Sequence, residues 1–122
     1  MARVLIIDDS PTDMQAISGM LKKHGHECTF ANDGMKGVAS AREAHPDVIL
    51  MDIVMPELNG YQATRRLTQD KDTAHIPVII ISSKTQETDR VWGMRQGARA
   101  YICKPINEEE LARTIAELAP PH

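Results

Sequence analysis

Five short apolar runs punctuate this chain, and between them lie longer segments whose apolar residues recur at helical spacing. The first run, Val4-Leu5-Ile6-Ile7, predicts a strand over residues 3–8. Residues 26–31 are a weaker second strand. The third covers 47–52, with Val48-Ile49-Leu50-Met51 between two aspartates. The fourth covers 76–82 around Val78-Ile79-Ile80-Ile81, and the fifth 100–103. Apolar runs this short, without polar alternation, suit strands buried on both faces, as in a parallel sheet covered by helices.

The intervening segments predict five helices. Ser10 suits the first N-cap, Pro11 the first turn, and Asp13 completes a capping-box-like pattern. Met14, Ile17 and Leu21 form its buried stripe. Lys22, Lys23 and His24 complement the negative end of its dipole, and Gly25 stops it. After the turn Asn32-Asp33-Gly34, Met35, Val38, Ala39 and Ala41 are expected to face inward on the second helix, which ends before Pro46. The third helix is expected to start near Glu57 and to carry Tyr61, Ala63, Thr64 and Leu67; polar residues 69–72 form a loop. Thr85 is the expected cap of the fourth, which carries Val91, Trp92 and Met94 and stops at Gly97. The fifth begins near Asn107, turns Leu111, Ile115 and Leu118 inward, and ends at Pro120-Pro121. Met35, Val38, Val91 and Leu111 are all expected in the core.

Alternation of strand and helix predicts a (βα)₅ α/β fold. Right-handed crossovers place helices on both faces of a doubly wound parallel sheet. The expected strand order is 2-1-3-4-5, the flavodoxin-like arrangement, with a site at the switch between strands one and three. At 122 residues, residues 1–122 are expected to form one domain, with no linker or repeat.

Composition narrows the function. A formal net charge of −3 argues against a nucleic-acid partner. No apolar run approaches the ~18 residues of a membrane span, so no membrane insertion is expected. The N-terminal apolar run leads straight into Asp8 with no signal-peptide pattern, which reads as a cytoplasmic protein. Cys28 and Cys103 have no C-x-x-C spacing and read as reduced, partly buried thiols on opposite edge strands, roughly 19 Å apart at ~4.8 Å per strand step. His24, His26 and Cys28 straddle a helix end and a strand start, a poor arrangement for one metal. Asp33 and Asp47 read as turn residues.

The candidate chemistry lies at three strand ends. The first strand ends in Asp8-Asp9, the third in Asp52, the fifth in Lys104-Pro105. In a parallel sheet these ends share one edge. Carboxylates that close raise one another's pKa unless a cation joins them. An oxygen-only set suits Mg²⁺, which takes one or two carboxylates and keeps several waters.

Taken in order, Asp8-Asp9, Asp52 followed by Met55-Pro56 and Gly60, Ser82-Ser83 and Lys104-Pro105 resemble a response-regulator receiver domain of two-component signalling. The resemblance spans about residues 2–119. It implies that Asp52 is the acceptor of a phosphoryl group from a histidine kinase. It implies that Asp8, Asp9, Asp52 and the Val54 carbonyl hold Mg²⁺, that Ser82 and Lys104 bind phosphoryl oxygens, and that the Lys104-Pro105 bond is cis. It makes Ser82 and Tyr101 candidate switch residues. Asn59 to Arg65 and Val91 to Gly97 further resemble regulators of type IV pilus chemosensory systems. Ser82 stands where threonine is common and Ile106 where phenylalanine is common. Trp92, adjacent to Val91 and near Arg95, is a candidate contact residue with Tyr101 on a partner face formed by the fourth helix, fifth strand and fifth helix.

The expected function is a stand-alone receiver, not an enzyme, that switches a downstream protein partner. A phosphate sink for a sister regulator is the alternative. A haloacid-dehalogenase-like phosphatase needs a second acid two residues after the nucleophile, where this chain has Val54. A flavodoxin-like carrier needs a hydroxyl-rich phosphate loop and aromatics, where this chain has Asp8-Asp9-Ser10-Pro11 and 3% aromatics.

Overall fold

A computed structural model describes residues 1–120. Five strands and five helices alternate: β1 (Arg3–Ile7), α1 (Pro11–Lys23), β2 (Glu27–Ala31), α2 (Gly34–Ala44), β3 (Val48–Asp52), α3 (Gly60–Gln69), β4 (Val78–Ser82), α4 (Glu87–Arg95), β5 (Ala100–Cys103) and α5 (Glu108–Leu118). All strand pairs are parallel, in the order β2-β1-β3-β4-β5, as expected from the sequence. The strands run one or two residues shorter than predicted, except β5. The expected helix stop at Pro120-Pro121 falls partly on Pro121, outside the described residues.

Burial follows the pleat. On one face Leu5, Ile7, Ile49 and Met51 pack against Val38, Ala41, Ala63 and Leu67 of α2 and α3. On the other, Val4, Ile6, Leu50 and Ile79 pack against Ile17 and Leu21 of α1 and Leu111 and Ile115 of α5. Every residue of β3 and β4 is buried, the reason these segments read as unbroken apolar runs. α4 covers a smaller cluster of Ile53, Ile80, Ala98 and Tyr101.

Several local expectations are corrected. Met35 and Ala39 face solvent; Gly34, Gly37, Val38 and Ala41 face inward on α2. A β-carbon at Gly37 would press into the Ile7 side chain, so this helix sits too close to β1 for larger residues. Val91 is exposed, and on α4 only Gly93 is buried. The α4 cap is Gln86, not Thr85. α3 begins at Gly60 rather than near Glu57, because Glu57 adopts φ 64° and Asn59 closes a capping box with Gln62. Asp33 N-caps α2 through Lys36 N–H, and Asp47 accepts from Arg3 N–H. Cys28 and Cys103 are free, and Cys103 is exposed rather than partly buried. His24 meets Glu108 and His26 Nδ1 accepts from Ala2 N–H, so the two rings take separate partners.

Gly60 packs directly against the end of β3. A β-carbon there would collide with the Asp52 carbonyl and the Ile53 backbone. Neither is a flexible side-chain tip, so the collision is not relieved cheaply. Gly60 N–H also donates to Ile53 O at 2.9 Å. Gly60→Ala is expected to cost about 2 kcal/mol of stability, within the range for overpacking, measured by urea unfolding. An unchanged midpoint would show that the loop from 53 to 59 yields freely.

Candidate functional site

Sheet register assembles the site. Ile7 pairs with Met51, so Asp8 emerges beside Asp52. Asp52 pairs with Ile81, so Ser82 lies one residue beyond it on the neighbouring strand. Ser82 pairs with Cys103, and Lys104 follows. The three strand ends therefore meet at the switch between β1 and β3, where open α/β sheets place ligands.

Asp8 and Asp52 are buried; Asp9 is exposed. One carboxylate oxygen from each lies within 4.8 Å of the others. Octahedral Mg²⁺ spaces its ligand oxygens roughly 3–4 Å apart, so this oxygen-only set suits a hard divalent cation by its chemistry and reaches that spacing with a small closing of its side chains. Burial, then the charge of Asp8, raises the Asp52 pKa to about 6 despite Lys104. Burial also raises that of Asp8, opposed by the Ser10 N–H and Lys104. Repulsion among acids was the expected cause of such shifts; desolvation is the larger one.

Lys104 Nζ lies beside two of these carboxylates and a third acid outside the cluster. It lies 3.5 Å from Asp52 Oδ1, 3.6 Å from Asp8 Oδ2 and 2.8 Å from Asp13 Oδ2. The Lys104-Pro105 bond is cis. Burial pulls the lysine pKa down, but the Asp13 hydrogen bond and the charges of Asp52 and Asp8 outweigh it, and the net shift is upward. Asp13 is the site residue that sequence reasoning missed. Its N–H does meet the Ser10 hydroxyl, but its carboxylate does not complete a capping box; Ser10 N–H donates to Asp8 instead. The contact joins residues 91 positions apart, which no local pattern reveals.

Ser82 is buried, and its Oγ accepts from Lys84 N–H at 3.0 Å. Tyr101 is only 8% exposed, and its hydroxyl donates to Lys84 O at 2.7 Å. The two candidate switch residues thus grip opposite ends of one peptide segment. Tyr61 OH donates to Asp89 O, tying α3 to the first turn of α4. Trp92 is 51% exposed and Arg95 is exposed, whereas Tyr101 is turned inward and is not a surface contact here. Val54 is exposed on the loop after β3.

This fold and site define a class. Residues 4–116 match the response regulator receiver domain family, and the chain belongs to it. Among curated proteins, it is 62% identical over 115 residues to protein PilH of Pseudomonas aeruginosa, covering 94% of this chain and 95% of that one. Among solved structures, it is similar to the Vibrio cholerae chemotaxis protein CheY4, with a TM-score of 0.89 at 30% identity over 97% of this chain and 98% of that one. It is also similar to the receiver domain of sensor histidine kinase PA1611 from P. aeruginosa, with a TM-score of 0.89 and 31% identity, each chain covered to 96%. That structure has a magnesium ion coordinated in its active-site cleft. Among the described residues, no helix is long and apolar enough to cross a membrane.

Proposed function

We propose that the chain acts as a single receiver unit, residues 1–122, whose Asp52 accepts a phosphoryl group from a histidine kinase and whose surface passes the change to a protein partner. The observation that carries this reading is the convergence of three carboxylates and one ammonium at the β1–β3 switch. A carboxylate oxygen of Asp52 attacks phosphorus, the P–O bond forms, and the P–N bond of the phosphohistidine breaks with its electron pair going to the imidazole. Asp8, Asp9, Asp52 and the Val54 carbonyl would hold Mg²⁺, which neutralises charge on the transferring group. Lys104 supplies a second positive charge. Ser82 supplies a hydroxyl. Similarity to PilH over nearly all of both chains favours a place in type IV pilus, twitching or other chemosensory signalling. Intact-mass measurement after incubation with kinase domains and Mg²⁺ tests the acceptor: one added phosphate is expected, and none from any phosphodonor would overturn the reading.

The output follows from Lys84. A phosphoryl group on Asp52 adds a dianion with three acceptor oxygens. Ser82 turns toward it and gives up Lys84 N–H. The segment that joins β4 to α4 then loses one of its two ties, and Tyr101 the partner fixed by the other. The first turn of α4 is tied by the Tyr61 contact, whereas its C-cap Gln96 is buried and accepts from the Thr68 hydroxyl, so the N-terminal end of the helix is the end free to follow. We expect beryllium fluoride with Mg²⁺, an acyl-phosphate mimic, to change Trp92 fluorescence and hydrogen exchange across residues 84–102. Ser82→Ala is expected to reduce both changes. Identical exchange with and without the mimic would exclude this face as the output.

A further inference from the structure

We propose that Asp13 is a positioning residue that keeps the Lys104 ammonium at ion-pair rather than short hydrogen-bond distance from Asp8 and Asp52 in the unphosphorylated protein, leaving the carboxylate lone pairs of that cluster open to a divalent cation. The inference rests on the reading of that cluster as a cation site.

Geometry supports it in three ways. First, Lys104 has a choice of three carboxylates and makes its one short contact with Asp13, at 2.8 Å against 3.5 Å to Asp52 and 3.6 Å to Asp8. Only the first lies in the range of a full charge-assisted hydrogen bond. Second, the preference runs against burial. The Asp13 carboxylate is 43% exposed, the Asp8 and Asp52 carboxylates 3% and 10%. Attraction between charges is stronger where water is excluded, so an ammonium with no other partner would close on the buried pair. Third, Asp13 is held in place for the task. It lies in the first turn of α1, its N–H is fixed by the Ser10 hydroxyl, and its carboxylate is not spent on the helix cap.

The consequence is competitive. An ammonium and a divalent cation need the same lone pairs on Asp8 and Asp52. While Asp13 retains Lys104, the cation meets carboxylates already desolvated and poorly compensated. Without Asp13, Lys104 neutralises them first. Once Asp52 carries a phosphoryl group, its oxygens supply a partner stronger than Asp13, and the ammonium turns a short distance inward to meet them. Asp13 therefore acts through Lys104, not on the reacting atoms.

Calorimetric titration with Mg²⁺ in a double-mutant cycle tests this. Asp13→Asn keeps the size and the polar contact while removing the charge. In the wild-type background it is expected to weaken Mg²⁺ binding roughly threefold to fivefold, the upper scale of a partly exposed ion pair. In a Lys104→Gln background the same substitution is expected to change Mg²⁺ affinity less than about twofold, because the residue it restrains is gone. Simple loss of a nearby negative charge would weaken Mg²⁺ equally in both backgrounds. An equal effect, or none in either, would overturn the assignment. A wild-type protein that binds no Mg²⁺ at all would instead overturn the reading of the cluster as a cation site.

Discussion

Asp52→Asn is expected to take up no phosphoryl group from a kinase phosphohistidine or from acetyl phosphate, while wild type takes up one. The substitution is nearly isosteric, so the surrounding packing has no reason to change. Asp52 ends β3, whose every residue is buried, and its backbone carbonyl is wedged against Gly60. The side chain is therefore fixed by its strand rather than by its charge. An amide oxygen does not form an acyl phosphate, so the loss is complete rather than partial. Intact mass reads the outcome directly, and circular dichroism checks the fold. A mutant phosphorylated to the wild-type extent would move the acceptor to another residue, with Asp8 and Asp9 the nearest carboxylates.

The sheet was legible from sequence because its two central strands, β3 and β4, are buried on both faces, and such strands have to be unbroken apolar runs. Their ends were legible for a related reason: the first charged residue after such a run marks the sheet edge, as at Asp8, Asp52 and Lys104. Helix faces were less legible. A reading by size places Met35 and Val91 in the core, but α2 and α4 lie so close to the sheet that Gly37 and Gly93 take those positions. A β-carbon at Gly93 would meet Ile80 and Tyr101. Small inward residues carry almost no hydrophobic signal, so closely packed helices look reversed. The start of α3 was misplaced because Glu57 takes a left-handed conformation, which is uncommon outside glycine. Asp13 and Tyr101 were legible as residue types but not as partners. Their contacts, to Lys104 and to the Lys84 carbonyl, exist only once distant strands are in register.

The same Asp52→Asn variant is expected to be more stable than wild type when metal is chelated at pH 7, by up to about 3 kcal/mol. The carboxyl of Asp52 has its pKa raised from 3.8 to about 6, chiefly by burial and then by Asp8. A raised acid binds its proton more tightly in the folded state than in the unfolded chain. Its contribution to stability is therefore fully present below the unfolded value, is lost as pH rises from about 4 through about 6, and at pH 7 is gone. Asparagine has no such loss. The advantage of the mutant should then shrink on acidification, by about 1 kcal/mol between pH 7 and pH 5, or roughly 4 °C in melting temperature for a chain of this size. The difference between the two proteins is the useful quantity. His26, whose pKa is lowered by burial, destabilises both alike as pH falls. Saturating Mg²⁺ should reverse the order, because a cation that binds only the folded carboxylates stabilises wild type most. Thermal melts of both proteins with chelator and with Mg²⁺, at pH 5 and pH 7, test every step. If the metal-free mutant is no more stable than wild type at pH 7, Lys104 fully compensates the three acids and the cluster holds no excess charge for a cation to relieve.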